Sequence, residues 1–126
     1  MIDIQLDDQQ FCWGDTLSGQ FIWQSDNPDK IPKSADVLMN WFTEGRGTGD
    51  RQTVEKQPLS PQKLLDFQTR PFPFSFTIPR EVPMTYDGYL FRLMWELEVK
   101  IVFPGIFRPQ DRATCVFQVL PYLQRD

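Results

Sequence analysis

The chain has 126 residues, near the commonest size for one compact domain, and 40 % of them are hydrophobic, with 11 Phe among the aromatics; this is enough apolar surface for a single core and argues against disorder. A net charge of −4 disfavours nucleic acid as a partner, because phosphate binding relies on clustered Lys and Arg. With no histidine and only Cys12 and Cys115 as thiols, a disulfide framework, a soft-ligand metal site and a histidine-based triad are excluded, and no cofactor is expected.

The first residues lack the basic and apolar regions of a secretory signal, and no run approaches the roughly twenty apolar residues that span a bilayer. A cytoplasmic setting is therefore expected, with both thiols reduced and packed as small hydrophobes.

In chain order, period-two patterns recur. Residues 2–6 form a weak strand candidate. Over 17–24, Leu17, Phe21 and Trp23 alternate with Ser18, Gln20 and Gln24, as a half-buried strand requires. Ala35, Val37, Met39, Trp41 and Thr43 face away from Asp36, Asn40 and Glu44, while Leu38 and Phe42 on the polar side predict partial cover on both faces. The stretch Glu44-Gly45-Arg46-Gly47-Thr48-Gly49-Asp50-Arg51 has the glycines of a phosphate cradle, yet no helix follows to face an anion, so a hairpin connection is expected. Residues 52–56 and 64–69 are further weak strand candidates, and Pro58-Leu59-Ser60-Pro61 between them shapes a loop. Phe72, Phe74, Phe76 and Ile78 continue the alternation, and Pro71, Pro73 and Pro79 place that strand at an edge or a bulge.

The longest pattern covers 89–103, where every odd position from Tyr89 to Phe103 is apolar and Arg92, Glu96, Glu98 and Lys100 lie opposite. A helical spacing also threads this stretch. Its aromatic and β-branched content and the turn residues Gly88 and Pro104-Gly105 favour a strand, with a bend or bulge near its middle. Trp95 is expected in the core. Residues 113–119 make the last of about eight short strands, the pattern of an all-β sandwich.

Chemistry finds few carriers. Glu96 and Glu98 share a face with Arg92 and Lys100, which reads as a solvated ladder of mixed charge rather than paired catalytic carboxylates. Asp7-Asp8 and Asp26-Asn27-Pro28-Asp29 lack the ligand spacing of a calcium loop and read as turns.

Two stretches together resemble the arrestin-like family. The first is Trp13-Gly14-Asp15-Thr16-Leu17-Ser18-Gly19-Gln20-Phe21, similar to the family's early turn and the strand opening with a second glycine. The second is Phe74-Ser75-Phe76-Thr77-Ile78-Pro79, then Pro83-Met84-Thr85-Tyr86-Asp87-Gly88, then the strand around Trp95-Glu96-Leu97 up to Val99. Arrestin-like domains place an F-x-F-x-[IL]-P strand before a P-x-[ST]-Y-x-G turn and a W-x-L-x-V strand. Trp41 followed by 43–47 is similar to the family's third-strand exit. Here Pro83 presets φ in the turn, Gly88 allows a sharp entry into the next strand, and Tyr86 is expected to bury its ring while its hydroxyl finds a backbone partner.

The resemblance implies an all-β fold, an immunoglobulin-like antiparallel β-sandwich of arrestin type spanning residues 1–126 as one lobe, where arrestins carry two. It implies a protein-binding adaptor or scaffold without enzymatic activity. The inter-lobe polar core and carboxy-terminal tail of receptor-binding arrestins have no counterpart in these residues. A lone lobe leaves edges that invite a homodimer. Two other functions compete: carbohydrate stacking on Trp13, Trp23, Trp41 or Trp95, for which core packing is the better account of all but Trp13, and peripheral membrane docking. Candidate partner-binding residues are Ile106, Phe107, Arg108 and Arg112, at and beside the hairpin tip 104–109. Three outcomes stay open there: Phe107 folds back to cap the core, or the tip meets an acidic protein, or it inserts into an anionic lipid surface.

Overall fold

The computed structural model of the chain describes residues 1–25, 30–45, 49–67, 70–107 and 109–122. Among the described residues nine strands and one short helix follow in the order β1 (Ile2–Leu6), β2 (Gln10–Phe11), β3 (Thr16–Trp23), β4 (Ser34–Gly45), β5 (Arg51–Leu59), α1 (Pro61–Asp66), β6 (Phe72–Thr77), β7 (Tyr86–Asp87), β8 (Phe91–Val102) and β9 (Gln110–Val119). They build two sheets. The smaller has the order β1-β3-β6; the larger has the order β2-β9-β8-β4-β5, with β7 beside the start of β8. Every pairing is antiparallel except the two-residue contact of β2 with β9.

The alternation in the sequence sets the core. Leu17, Phe21 and Trp23 of β3 and Phe72, Phe74 and Phe76 of β6 project from the smaller sheet. Val37 and Met39 of β4, Trp95, Leu97, Val99 and Ile101 of β8, and Phe117 and Val119 of β9 meet them from the larger. Gly19 occupies an inward position between Leu17 and Phe21, and a Cβ there would come within 2.9 Å of Phe74 Cζ. The missing side chain is the space that the Phe74 ring fills. As the prolines required, β6 is an edge strand.

Several expectations are corrected. The strand expected over 64–69 is absent from its described part, 64–67, while 68–69 lie outside the described residues: α1 covers Pro61–Asp66, started by the Ser60 cap, whose Oγ accepts from the Lys63 amide at 3.4 Å, and by proline in the first turn. Leu64 is its one buried side chain. The long strand begins at Phe91 rather than Tyr89 and has no bulge against β4, its register running unbroken from Ser34↔Val102 to Gly45↔Phe91. The irregularity lies on the other side of β4, between Met39 and Asn40 opposite β5. The glycine-rich connection is the β4–β5 hairpin turn, although residues 46–48 of it lie outside the described residues. So does 26–29.

Strand direction separates the two ends of the sandwich. The turn before β8 and the β4–β5 connection lie at one end, where Gly45 faces Phe91. The 103–109 loop lies at the other, together with residues 30–33, whose Lys33 amide donates to Val102 O at 2.7 Å. At about 3.3 Å per residue, the twelve residues of β8 hold these ends roughly 36 Å apart.

Candidate functional site

The residues that carried the family resemblance converge on the segment between β6 and β7. Gly14, with φ +86°, turns the chain so that its amide donates to Ile78 O at 2.8 Å while Asp15 O accepts from the Ile78 amide at 2.8 Å. Pro79 then ends β6, and Glu81 takes φ 66°, an uncommon conformation for a residue with a side chain. Two indoles hold the next two carbonyls in place. Trp13 Nε1 donates to Val82 O at 3.1 Å, and Trp95 Nε1, from a fully buried ring, donates to Pro83 O at 2.8 Å. Thr85 completes the anchorage, exchanging bonds with Val119 through its amide at 2.8 Å and its hydroxyl at 2.9 Å. Pro79, Pro83 and Trp95 thus act together, and Trp41 lies half-buried opposite Trp95 on the neighbouring strand.

Tyr86 departs from expectation. Its ring is half exposed and tilted at 36° against Phe91 with 4.9 Å between centroids, and a Cβ on Gly88 would overlap it. Gly88 therefore serves the close approach of that ring. Tyr89, on the apolar side of the expected strand, is 98 % exposed, with Leu90 at 67 % and Phe91 at 47 %. The cause is the extent of the neighbours: β9 reaches only as far as Trp95 and is replaced beside Arg92 and Leu93 by the two residues of β7. Tyr86, Met94 and Val116 line an adjoining shallow groove of about 110 Å³ with Asp87 and Arg92 at its rim. Sequence reasoning missed this apolar surface because the alternation of 89–103 continues past the point where facing layers end.

The polar face of the larger sheet is also different from the solvated ladder expected. Glu96 is 4 % exposed and Glu98 is 9 % exposed. Asn40 Nδ2 donates to Glu98 Oε1 at 2.9 Å, while its Oδ1 accepts from Thr53 Oγ1 at 2.8 Å. Arg51 donates to Glu96 Oε1 at 2.9 Å, and Arg112 bonds Glu98 while its other nitrogen lies 3.6 Å from Glu96 Oε2, a buried oxygen without a hydrogen bond. Arg92 pairs instead with Glu44 at 2.9 Å, and Lys100 acts on Glu98 through space without an ion-pair contact among the described residues. Burial alone would raise the Glu98 carboxyl, but the hydrogen bonds from Arg112 and Asn40 outweigh it and hold the group below the usual carboxylate range. That is the wrong direction for a general acid. The arginine stems cover the carboxylates, so this network closes the face.

At the far end, Ile106 and Phe107 are each 94 % exposed. Phe107 does not cap the core. Phe103 does, its ring 6.2 Å from that of Trp23 and its amide donating to Pro109 O at 2.8 Å to close the base of the loop. Of the other two candidates, Arg112 is committed to Glu98 and Glu96, and Arg108 lies outside the described residues. A groove of about 450 Å³ beside the tip is lined by Lys33, Lys56 and Lys100 with Asp36, Pro104 and Gly105 among its walls.

Among the described residues no three His, Cys, Asp or Glu side chains group as metal ligands, and no helix is long and apolar enough to cross a membrane. Asp8 accepts from the amides of Gln9 and Gln10, an ordinary turn. Burial raises the Cys115 thiol, which favours the unreactive form. Of the tryptophans offered for carbohydrate, Trp23 and Trp95 are core residues and Trp13 is 39 % exposed.

No family model matches the sequence, and no curated protein matches it. The fold does have a solved counterpart: the sporulation control protein Spo0M from Bacillus subtilis superposes with a TM-score of 0.68 at 13 % identity, covering 94 % of this chain and 48 % of the other. The chain thus has the arrestin-type, immunoglobulin-like β-sandwich fold and spans about half the length of that structure.

Proposed function

We propose that this chain is a non-enzymatic regulatory adaptor that binds a protein partner through the surface formed by Tyr86, Tyr89, Leu90 and Phe91. One observation carries the reading: these four large apolar side chains, nearly contiguous in sequence, stand in solvent at one end of a sandwich whose core is closed without them. Folding has no use for Tyr89 there, and contiguous exposed apolar surface marks interaction sites. The surface is well supported. Tyr86 rests on Gly88 and Phe91, and a Cβ on Gly45 would meet Leu90 O and the Phe91 backbone, so the turn is pressed against the end of β4. Aromatic residues on a fixed backbone make contact area at low entropic cost. The fold likeness to a protein described as a sporulation control protein supports a regulatory role. Arrestin-type sandwiches suit such work in the cytoplasm, which is where we place it.

The test is affinity purification from the native cell with wild-type chain and a Tyr89→Ser, Leu90→Ser double variant, read by mass spectrometry and thermal melting. A stoichiometric partner that the variant loses, at unchanged melting temperature, supports the reading. An unchanged set of captured proteins, or a variant that melts early, refutes it.

A further inference from the structure

The opposite end carries a second, unlike surface. Ile106 and Phe107 project from a hairpin tip whose base is tied by the Phe103–Pro109 bond, with Gly105 at φ +144° opening the turn. Neither side chain has a role in the core, which Phe103 closes. Ile31, 63 % exposed, emerges at the same end. Beside the tip, Lys33, Lys56 and Lys100 line one groove, and among the described residues the only acid in its walls is Asp36, 3.9 Å from Lys56. Lys33 has no ion pair among the described residues, and Lys100, in register with Asp36, acts on the Glu98 carboxylate through space without an ion-pair contact. Arg112, opposite Lys100 in register, is neutralised by Glu98. In a chain of net charge −4, this end holds a local excess of positive charge directly behind two exposed apolar side chains.

We infer that the hairpin tip at Ile106 and Phe107 docks on a membrane: these two side chains enter the headgroup boundary of an anionic lipid surface, and Lys33, Lys56 and Lys100 meet the lipid phosphates. Charge complementarity selects this occupant. An amphipathic contact of apolar tip and basic collar fits a negatively charged bilayer surface, whereas an acidic protein groove would leave no reason for two bulky apolar residues to lead. The inference is independent of the adaptor surface at the other end. Basic residues held near an anionic leaflet each strengthen partition by roughly fivefold, an effect that salt screens.

Co-sedimentation with phosphatidylcholine vesicles, with and without phosphatidylserine, tests it. The wild-type chain should bind only the phosphatidylserine vesicles, and less so as salt rises. Lys33→Gln with Lys100→Gln should weaken that binding by about 25-fold, and Ile106→Ser with Phe107→Ser should abolish it, both at unchanged melting temperature. Absence of vesicle binding, equal binding to both vesicle types, or capture of a soluble protein by the tip in place of vesicles overturns the inference. So does an early-melting Ile106→Ser, Phe107→Ser variant, since the tip would then belong to the fold; the lysine pair provides a separate measurement that leaves the hairpin apolar residues in place.

Discussion

Replacing Trp95 separates two contributions that its position combines. The ring is fully buried and its Nε1 holds Pro83 O at 2.8 Å. Truncation to alanine forfeits both and is expected to cost about 3–5 kcal/mol. Trp95→Phe keeps an aromatic ring in the same place, losing about 1 kcal/mol of apolar burial and about 1 kcal/mol for the missing donor. The second figure stays near the middle of its range because Pro83 is exposed, so water can reach the freed carbonyl. The sum, about 2 kcal/mol, corresponds to a fall of roughly 8 °C in melting temperature for a chain of this size. Urea denaturation measures the total. The local effect is read by limited trypsin digestion after Arg80, in the strained turn that Trp13 and Trp95 anchor: cleavage should accelerate in Trp95→Phe beyond what the global loss explains. A loss below about 0.5 kcal/mol, or unchanged cleavage, would refute the clamp.

Glu98 makes stability depend on pH in a defined direction. Its folded carboxyl lies below the unfolded value, so it contributes stability above the unfolded pKa of about 4.3, and that contribution is lost as pH falls through the lowered folded value. Arg112→Met removes the strongest bond holding it there and leaves burial opposed only by Asn40 and Lys100, so the variant should lose stability at a higher pH than wild type in urea melts taken across the acid range; superimposable profiles would refute this. Self-association is expected at high micromolar concentration through Tyr89 and Leu90 rather than through the open edges, because Pro58 and the charges of Arg51, Glu55 and Lys56 guard β5 and Pro73 guards β6. Leu90→Asp should convert the dimer seen by light scattering to monomer, and a wild-type chain that scatters as monomer, or a dimer that survives the substitution, would overturn the expectation.

The strands were legible because a half-buried strand writes its burial as a period of two, and Leu17 to Trp23 or Trp95 to Ile101 obey it. Burial at strand ends was not, since it depends on what faces the strand. Tyr89 and Phe91 keep the alternation of Trp95 but have lost β9 as a neighbour. The same holds for Glu96 and Glu98. Their own strand offers Arg92 and Lys100, yet the guanidinium groups that bond them come from Arg51, 45 residues away, and from Arg112 on β9. Only register brings those together. The helix at Pro61–Asp66 has a cap in Ser60 and a proline after it, but its six residues carry too little apolar periodicity to announce a helix. The tip residues Ile106 and Phe107 were identifiable from two prolines and a glycine flanking large apolar side chains, whereas the lysine collar depends on three strands and a loop meeting at one end.

The unbroken pairing of β4 with β8 has a mechanical consequence. The two exposed ends are continuous with the same strand, one preceding Phe91 and the other following Val102. Tension between an anchored tip and a partner held at the opposite end would therefore run along the covalent backbone of β8, and the antiparallel ladder is not in its path. The twelve residue pairs from Ser34↔Val102 to Gly45↔Phe91 would hold β8 extended between the two ends, so force could pass from one surface to the other without any pair having to break.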